Sequence, residues 1–240
     1  MSVRRTGEGP ELVWIHGLGE SSTSWDPVLA HLPAFSHTLI DLPGYGRSPW
    51  PAAPQSLEVL ADHLAGWLQP RRHATLIGHS MGGVLAVLLA ERGVARAIVN
   101  VDGNVTRDDC TYSAIAEGQA EPEFVAHGFA AMRDQIYRDG AADPPLRTYF
   151  AAQCYAQPRT FHHQACDLVA LSRTESMAPR MAALAIPTLF VAGVPRGISE
   201  KSRALLDLHR VRWVGIEPAG HWVYLDQTAA FAATIEQFLG

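Results

Sequence analysis

The sequence predicts an α/β protein whose mostly parallel, doubly wound sheet carries an inserted helical segment. Short apolar runs typical of buried strands alternate with helical patterns before residue 104 and again after residue 184. Between these points the alternation stops and alanine-rich, aromatic-studded helical patterns replace it. Right-handed crossover connections then fix the winding of the sheet.

The individual elements follow from apolar runs bounded by glycine, proline or polar residues. Strands are predicted at 4–6, 11–15, 36–40, 74–77, 96–101, 188–192 and 211–216. Helices are predicted at 56–68, 81–92, 201–208 and 228–239, with further helical segments at 122–139 and 146–157.

The interrupted alternation predicts two structural units. Residues 1–103 and 185–240 are expected to form the sheet core, and residues 104–184 are expected to form a helical cap, or lid. An unstructured connection of that length would be implausible in a compact domain. We therefore expect the cap to cover the site and to shape the choice of substrate.

Composition narrows the class of protein. The chain has 240 residues, a formal charge of -5 and 48% hydrophobic residues, which suits one domain with a large core. Because no Lys/Arg run is longer than a pair such as Arg71-Arg72, neither nucleic acid nor an anionic membrane is an expected partner. An odd number of cysteines without metal-ligand spacing indicates reduced thiols and a cytoplasmic location. The sequence shows neither a signal peptide nor a transmembrane run.

The segment Gly78-His79-Ser80-Met81-Gly82 lies between a predicted strand and a predicted helix. A strand, a tight turn and a helix with serine at the apex form a nucleophile elbow. The two flanking glycines permit a backbone that side chains would obstruct, and the positive end of the helix dipole lies behind the serine. Ser80 is therefore the candidate nucleophile.

Three further groups follow the ends of predicted strands, where chemistry gathers in an open parallel sheet. His221 follows the last strand and is the candidate general base, because an imidazole that takes the proton of a serine hydroxyl activates it. The backbone amides of Leu18 and Met81 are the candidate oxyanion hole, since Leu18 follows the first main strand and Met81 follows the nucleophile. Asp102 ends the strand at 96–101.

The chain resembles the α/β-hydrolase superfamily, in its capped esterase-like branch. The resemblance rests on His16-Gly17-Leu18-Gly19, the loop 41–48, Gly78-His79-Ser80-Met81-Gly82-Gly83 and Gly220-His221-Trp222, and it spans nearly the whole chain. It implies a serine hydrolase that forms an acyl-enzyme on an ester carbonyl. Neither a metal ion nor an organic cofactor is implied.

The triad acid is where the chain departs from this resemblance. Most of the family has the acid in the loop after the penultimate strand, but here that loop runs through Arg196 and offers no carboxylate before Glu200. Asp102 is our candidate, because its strand should lie beside that of the nucleophile and a minority of the family has its acid there. Glu200 remains the alternative acid. The other interpretation of Asp102 is that it belongs to a simple turn and has no catalytic role.

Several functions share this machinery. The expected substrate is a small molecule with an apolar acyl group, and thioesterase, lactonase and carbon–carbon bond hydrolase activities stay open. A ligand-binding, receptor-like protein with weak or no turnover is the alternative of another class. The sequence gives no indication of the oligomeric state.

Overall fold

Seven strands form a single sheet in a computed structural model that describes residues 1–240. They are β1 Ser2–Thr6, β2 Glu11–Ile15, β3 Ser36–Asp41, β4 Thr75–His79, β5 Ala97–Val101, β6 Thr188–Arg196 and β7 Trp213–Gly220. Their order across the sheet is β1-β3-β2-β4-β5-β6-β7. Strand β1 runs antiparallel to β3 and every other pairing is parallel, so the carboxyl ends of β2 to β7 share one edge.

The helices flank this sheet or connect its strands. They are α1 Asp26–Leu29, α2 Leu57–Leu68, α3 Met81–Glu91, α4 Tyr112–Glu117, α5 Glu121–Glu123, α6 Phe129–Asp139, α7 Pro144–Ala152, α8 Pro158–Arg173, α9 Met177–Ala182, α10 Glu200–Leu208, α11 Val223–Asp226 and α12 Thr228–Leu239. A π-helical turn, Phe124–Gly128, joins α5 to α6. No helix combines the length and the apolar character needed to cross a bilayer.

The predicted doubly wound α/β sheet is confirmed, with two informative differences. Strands β6 and β7 both extend beyond their predicted ends, because they pair again at Pro195–Ala219 and Arg196–Gly220 after an irregularity at Gly193. Helix α8 was not predicted, since the helical segment predicted at 146–157 ended before Pro158. Pro158 is instead the first residue of the helix, where a missing N–H leaves no hydrogen bond unmade.

Helix α3 lies in the middle of the molecule and fixes the elbow. Each residue from Met81 to Ala90 is buried, so this helix packs on all sides rather than along one stripe. One side of α3 contacts β4 and β5 of the sheet, and α3 also contacts helices α2 and α9. Residues that follow β4 are therefore held rigidly at the carboxyl edge.

The turn after β7 corrects one expectation. The sequence predicts that Asp226 and Gln227 begin the final helix as capping residues; this is wrong for Asp226, whereas Gln227 occupies the N-cap position of α12 without a side-chain cap hydrogen bond. Asp226 ends α11, and its Oδ2 accepts a hydrogen bond from the Gly220 amide at 2.7 Å. The Gln227 side chain donates to the Pro218 carbonyl at 2.9 Å, and α12 begins without a side-chain cap. Both residues brace the end of β7 instead.

We predict that Gly82→Ala destabilises the fold. A Cβ at Gly82 would lie 2.3 Å from the carbonyl oxygen of Ile15 and 2.7 Å from that of His16, and backbone cannot give way as a side chain can. We expect the free energy of unfolding to fall by about 1–3 kcal/mol. Urea denaturation measures the change.

Gly66→Ala is the matched control, because Gly66 lies within α2 and a Cβ there meets no atom within 4 Å. That substitution should raise the free energy of unfolding by about 0.5–1 kcal/mol. Equal effects of the two substitutions would contradict the close approach of α3 to β2.

Candidate active site

Ser80 lies at a strained apex between β4 and α3. Its φ of 53° and ψ of -119° lie in a region that residues with a Cβ rarely adopt. Its amide donates to the Val101 carbonyl at 2.9 Å, which anchors the turn to β5. A Cβ at Gly78 would come within 2.0 Å of the Gly82 carbonyl oxygen, so the turn requires glycine there. The strained backbone presents the Ser80 side chain at the carboxyl edge of the sheet.

Ser80 borders a cavity of about 230 Å³ at this edge. Its walls come both from the loops that follow the strands and from the helices between β5 and β6. The first group includes Leu18, Ser80, His221 and Trp222, and the second includes Tyr112, Leu146, Tyr149 and Leu168. Residues from the 104–184 segment thus face the same space as Ser80.

Leu18 lines the same cavity as Ser80, and Met81 directly follows Ser80 in the chain. Leu18 lines the cavity, and no oxygen of the protein accepts a hydrogen bond from its amide. Met81 is the first residue of α3, so its amide has no partner one turn earlier within the helix. The amide of Gly17, just before Leu18, donates to Glu20 Oε2 at 3.0 Å, which orders the loop. Two N–H donors are therefore free beside Ser80.

His221 follows β7 and lines the cavity with Ser80. Its ring packs against the ring of His79, with centroids 4.6 Å apart, and against Trp222 at 5.3 Å. Burial and the neighbouring His79 lower the pKa of His221 to about 3, although Glu20 acts in the opposite direction. The ring is therefore neutral near pH 7, and its burial disfavours the protonated form.

Asp102 follows β5 and is fully buried, with a φ of 45°. The Gly193 amide donates to its two carboxylate oxygens at 3.2 and 3.1 Å. Burial raises the pKa of Asp102 well above its ordinary value, and nearby Asp109 and Asp226 add to the rise, while the Gly193 amide opposes it. Asp102 forms no salt bridge, although the charge of the more distant Arg203 also opposes the rise in its pKa.

The structure does not bring the Asp102 carboxylate into hydrogen-bonding distance of His221. Among all histidines and carboxylates, only His79 and Glu20 approach within 4.0 Å. Asp102 nevertheless lies next to the start of the histidine loop. A Cβ at Gly193 would sit 3.1 Å from Asp102 Oδ2 and 1.9 Å from the Gly220 carbonyl oxygen, so both groups border Gly193.

Glu200, the alternative acid, lies apart from the cavity. It is the first residue of α10, its side chain is 96% exposed, and its nearest cation is Arg203 at 4.0 Å. Arg196, which stands where an acid was expected, lines the cavity. The last residue of β6 thus brings a basic side chain to the site where a carboxylate was expected.

Sequence reasoning missed Glu20, which is buried among the residues around Ser80. Burial acts to raise the pKa of Glu20, but the charge and contact of His79 and the Gly17 amide lower it to about 2. The sequence did contain a signal, which is the position of this carboxylate directly after His16-Gly17-Leu18-Gly19, close to the expected site. A carboxylate buried there is costly without a partner, so a partner should be expected. The partner is His79, which the sequence identifies only as a residue of the elbow.

Residues 12–234 match the model of a family described as the alpha/beta hydrolase family. The chain belongs to the alpha/beta hydrolase family. This finding confirms the resemblance seen in the four sequence motifs. As an alpha/beta hydrolase, the chain places Ser80 at the turn where members of this fold present a nucleophile.

Individual relatives are similar to different extents. A pimeloyl-[acyl-carrier protein] methyl ester esterase of Aeromonas salmonicida is 40% identical over 92 residues, which are 38% of this chain and 35% of that protein. The chain thus spans about a third of that relative's length in the matched segment. A protein of the same name from Yersinia pseudotuberculosis is 28% identical over 97% of this chain and 94% of its own.

Solved structures share the fold. A thermophilic esterase from Thermogutta terrifontis superposes with a TM-score of 0.82, covering 99% of this chain and 92% of its own, at 22% identity. At that identity the likeness establishes the fold alone.

Proposed function

We propose that this alpha/beta hydrolase is a serine hydrolase that cleaves ester-type acyl bonds through an acyl-enzyme. The observation that carries the proposal is the strained apex of Ser80, which opens into the same cavity as His221 and the free amide of Leu18. Backbone strain of this kind is kept where the position of a side chain matters. The esterase names of the relatives agree with this chemistry.

The proposed reaction has two halves. Ser80 Oγ attacks the ester carbonyl carbon while His221 takes its proton, and the amides of Leu18 and Met81 donate to the oxygen that becomes negative. His221 then gives the proton to the leaving alcohol. A water molecule, deprotonated by His221, attacks the acyl-enzyme and releases the acid, which returns Ser80 to its starting state.

Asp102 is the proposed triad acid. A buried carboxylate that has no salt-bridge partner is stabilised when a positive imidazolium forms nearby. Its position beside Gly193, which also borders Gly220, supports this role because Gly220 precedes His221. The contact is proposed to form on substrate binding, since catalytic hydrogen bonds often tighten only in the complex.

Residues 104–184 are proposed to act as the cap that selects the acyl group. Pro145, Leu146, Tyr149 and Leu168 supply much of the apolar wall of the cavity. A volume of about 230 Å³ lies below the range of about 300–1,000 Å³ typical of pockets for drug-sized ligands. The proposed substrate is therefore a small molecule with a short apolar acyl group.

We expect p-nitrophenyl acetate and butyrate to be hydrolysed with a higher kcat/KM than the decanoate and palmitate esters. The cavity accommodates the short chains, whereas a long chain would have to displace cap side chains. Initial rates across the ester series, with a matching thioester and a lactone, measure this preference. A rising kcat/KM up to palmitate would contradict the short-acyl assignment, and an absence of turnover with every substrate would contradict the proposed function.

A further inference from the structure

A buried contact between a histidine and a carboxylate joins the elbow to the loop that follows β2. His79 Nδ1 and Glu20 Oε1 lie 2.8 Å apart, and their side chains are 0% and 3% exposed. This is a close contact rather than an aligned hydrogen bond, since Nδ1 has no hydrogen-bond partner of acceptable geometry. Burying a carboxylate and an imidazole together is costly unless further hydrogen bonds satisfy both groups. Such bonds are present on both sides.

On one side, Glu20 accepts hydrogen bonds from two loops. Its Oε2 accepts from the Gly17 amide at 3.0 Å, and its Oε1 accepts from Trp222 Nε1 at 2.8 Å. The Tyr224 hydroxyl approaches Oε2 at 3.4 Å. Gly17 precedes the proposed oxyanion donor Leu18, and Trp222 follows His221, so one carboxylate ties both loops together.

On the other side, His79 holds the main chain of the proposed base. Its Nε2 donates to the carbonyl oxygen of His221 at 2.8 Å. His79 is adjacent to Ser80 and is itself fixed in β4. This contact is the direct link between the elbow and the backbone of His221, whose ring has no carboxylate within 4.0 Å.

We propose that Glu20 and His79 are positioning residues. They fix the positions of the His221 backbone and of the loop that contains Gly17 and Leu18 relative to Ser80. The inference rests on the proposed function, in which these three groups act together. Only a carboxylate fits the position of Glu20. Its two oxygens each accept an N–H, so a glutamine amide in either orientation would set its NH₂ group against the Gly17 amide or against Trp222 Nε1.

The test is Glu20→Gln, which keeps the size of the side chain and removes one acceptor and the charge. We expect kcat per active site, titrated with a fluorophosphonate, to fall by about 10–100-fold, because small misplacements of reacting groups carry losses of that size. KM should stay within about twofold, since substrate binding is not the function lost. A crystal structure of E20Q should show the Gly17 or the Trp222 loop displaced relative to Ser80.

Glu121→Gln is the matched control, because Glu121 pairs with the exposed Arg159 at 2.9 Å, away from the cavity, and its loss should leave kcat unchanged. If E20Q does not fold, Trp222→Phe removes a single N–H donor to Glu20 and should lower kcat about tenfold.

Two results would overturn the proposal. One is a kcat per titrated site within twofold of the unmodified protein, in E20Q or, if that variant does not fold, in W222F. The other is a variant crystal structure in which both loops superpose on their original positions. An unmodified protein that neither labels nor turns over esters would instead overturn the proposed function, and the crystal structure would still decide whether Glu20 positions His221.

Discussion

Ser80→Ala should lower ester hydrolysis by about 10⁴–10⁶-fold, the loss that follows removal of the nucleophile from a serine–histidine site. The strained turn and the cavity remain, so ester binding should persist while turnover disappears. Alanine adopts the apex conformation with no greater strain than serine, and the thermal unfolding midpoint should therefore stay close to that of the unmodified protein. The measurement is kcat with p-nitrophenyl butyrate.

Ser172→Ala is the control for this experiment. Ser172 is equally buried, but its hydroxyl donates to the Leu168 carbonyl of its own helix at 2.7 Å and does not line the cavity. Activity should survive that substitution. Turnover that survives Ser80→Ala as well would show that another group attacks the substrate.

Asp102→Asn should lower kcat by as much as about 10⁴-fold, the size of loss seen when an asparagine fixes the wrong histidine tautomer in a triad. Asparagine keeps the shape of the side chain and can still accept from the Gly193 amide through its single oxygen. The negative charge that would stabilise the imidazolium of His221 is lost. Single-turnover kinetics with an activated ester measure the effect on acylation.

Glu200→Gln is the comparison, and it should leave kcat within about twofold because a solvated surface carboxylate contributes little. A large effect of Glu200→Gln, with little effect of Asp102→Asn, would reverse the assignment of the acid. Equal and small effects would mean that no carboxylate assists His221.

Local signals in the sequence predicted the elbow well. Gly78 and Gly82 flank Ser80 between a strand and a helix, and the structure shows why each is required, since a Cβ at either would collide with backbone. The parallel sheet followed in the same way from short apolar runs. Pro158 misled the prediction of α8 because proline is compatible with the first turn of a helix as well as with a break.

The arrangement of the charged groups could not be predicted in this way. The environment of Glu20 is made by His79, Trp222 and Tyr224, which are distant in the sequence and meet only after the sheet has formed. The approach of Asp102 to the histidine loop likewise depends on Gly193, a residue of another strand. Such contacts depend on packing between elements, for which no periodicity or local motif exists.

The most direct measurement of the central claim is the location of a covalent adduct. A fluorophosphonate probe, incubated with the folded protein and followed by peptide mass spectrometry, should leave one phosphonyl group on the peptide that contains Ser80. The Ser80→Ala variant should carry none. A folded protein that remains unlabelled, or an adduct that persists on another residue in Ser80→Ala, would contradict the assignment of Ser80 as the activated nucleophile.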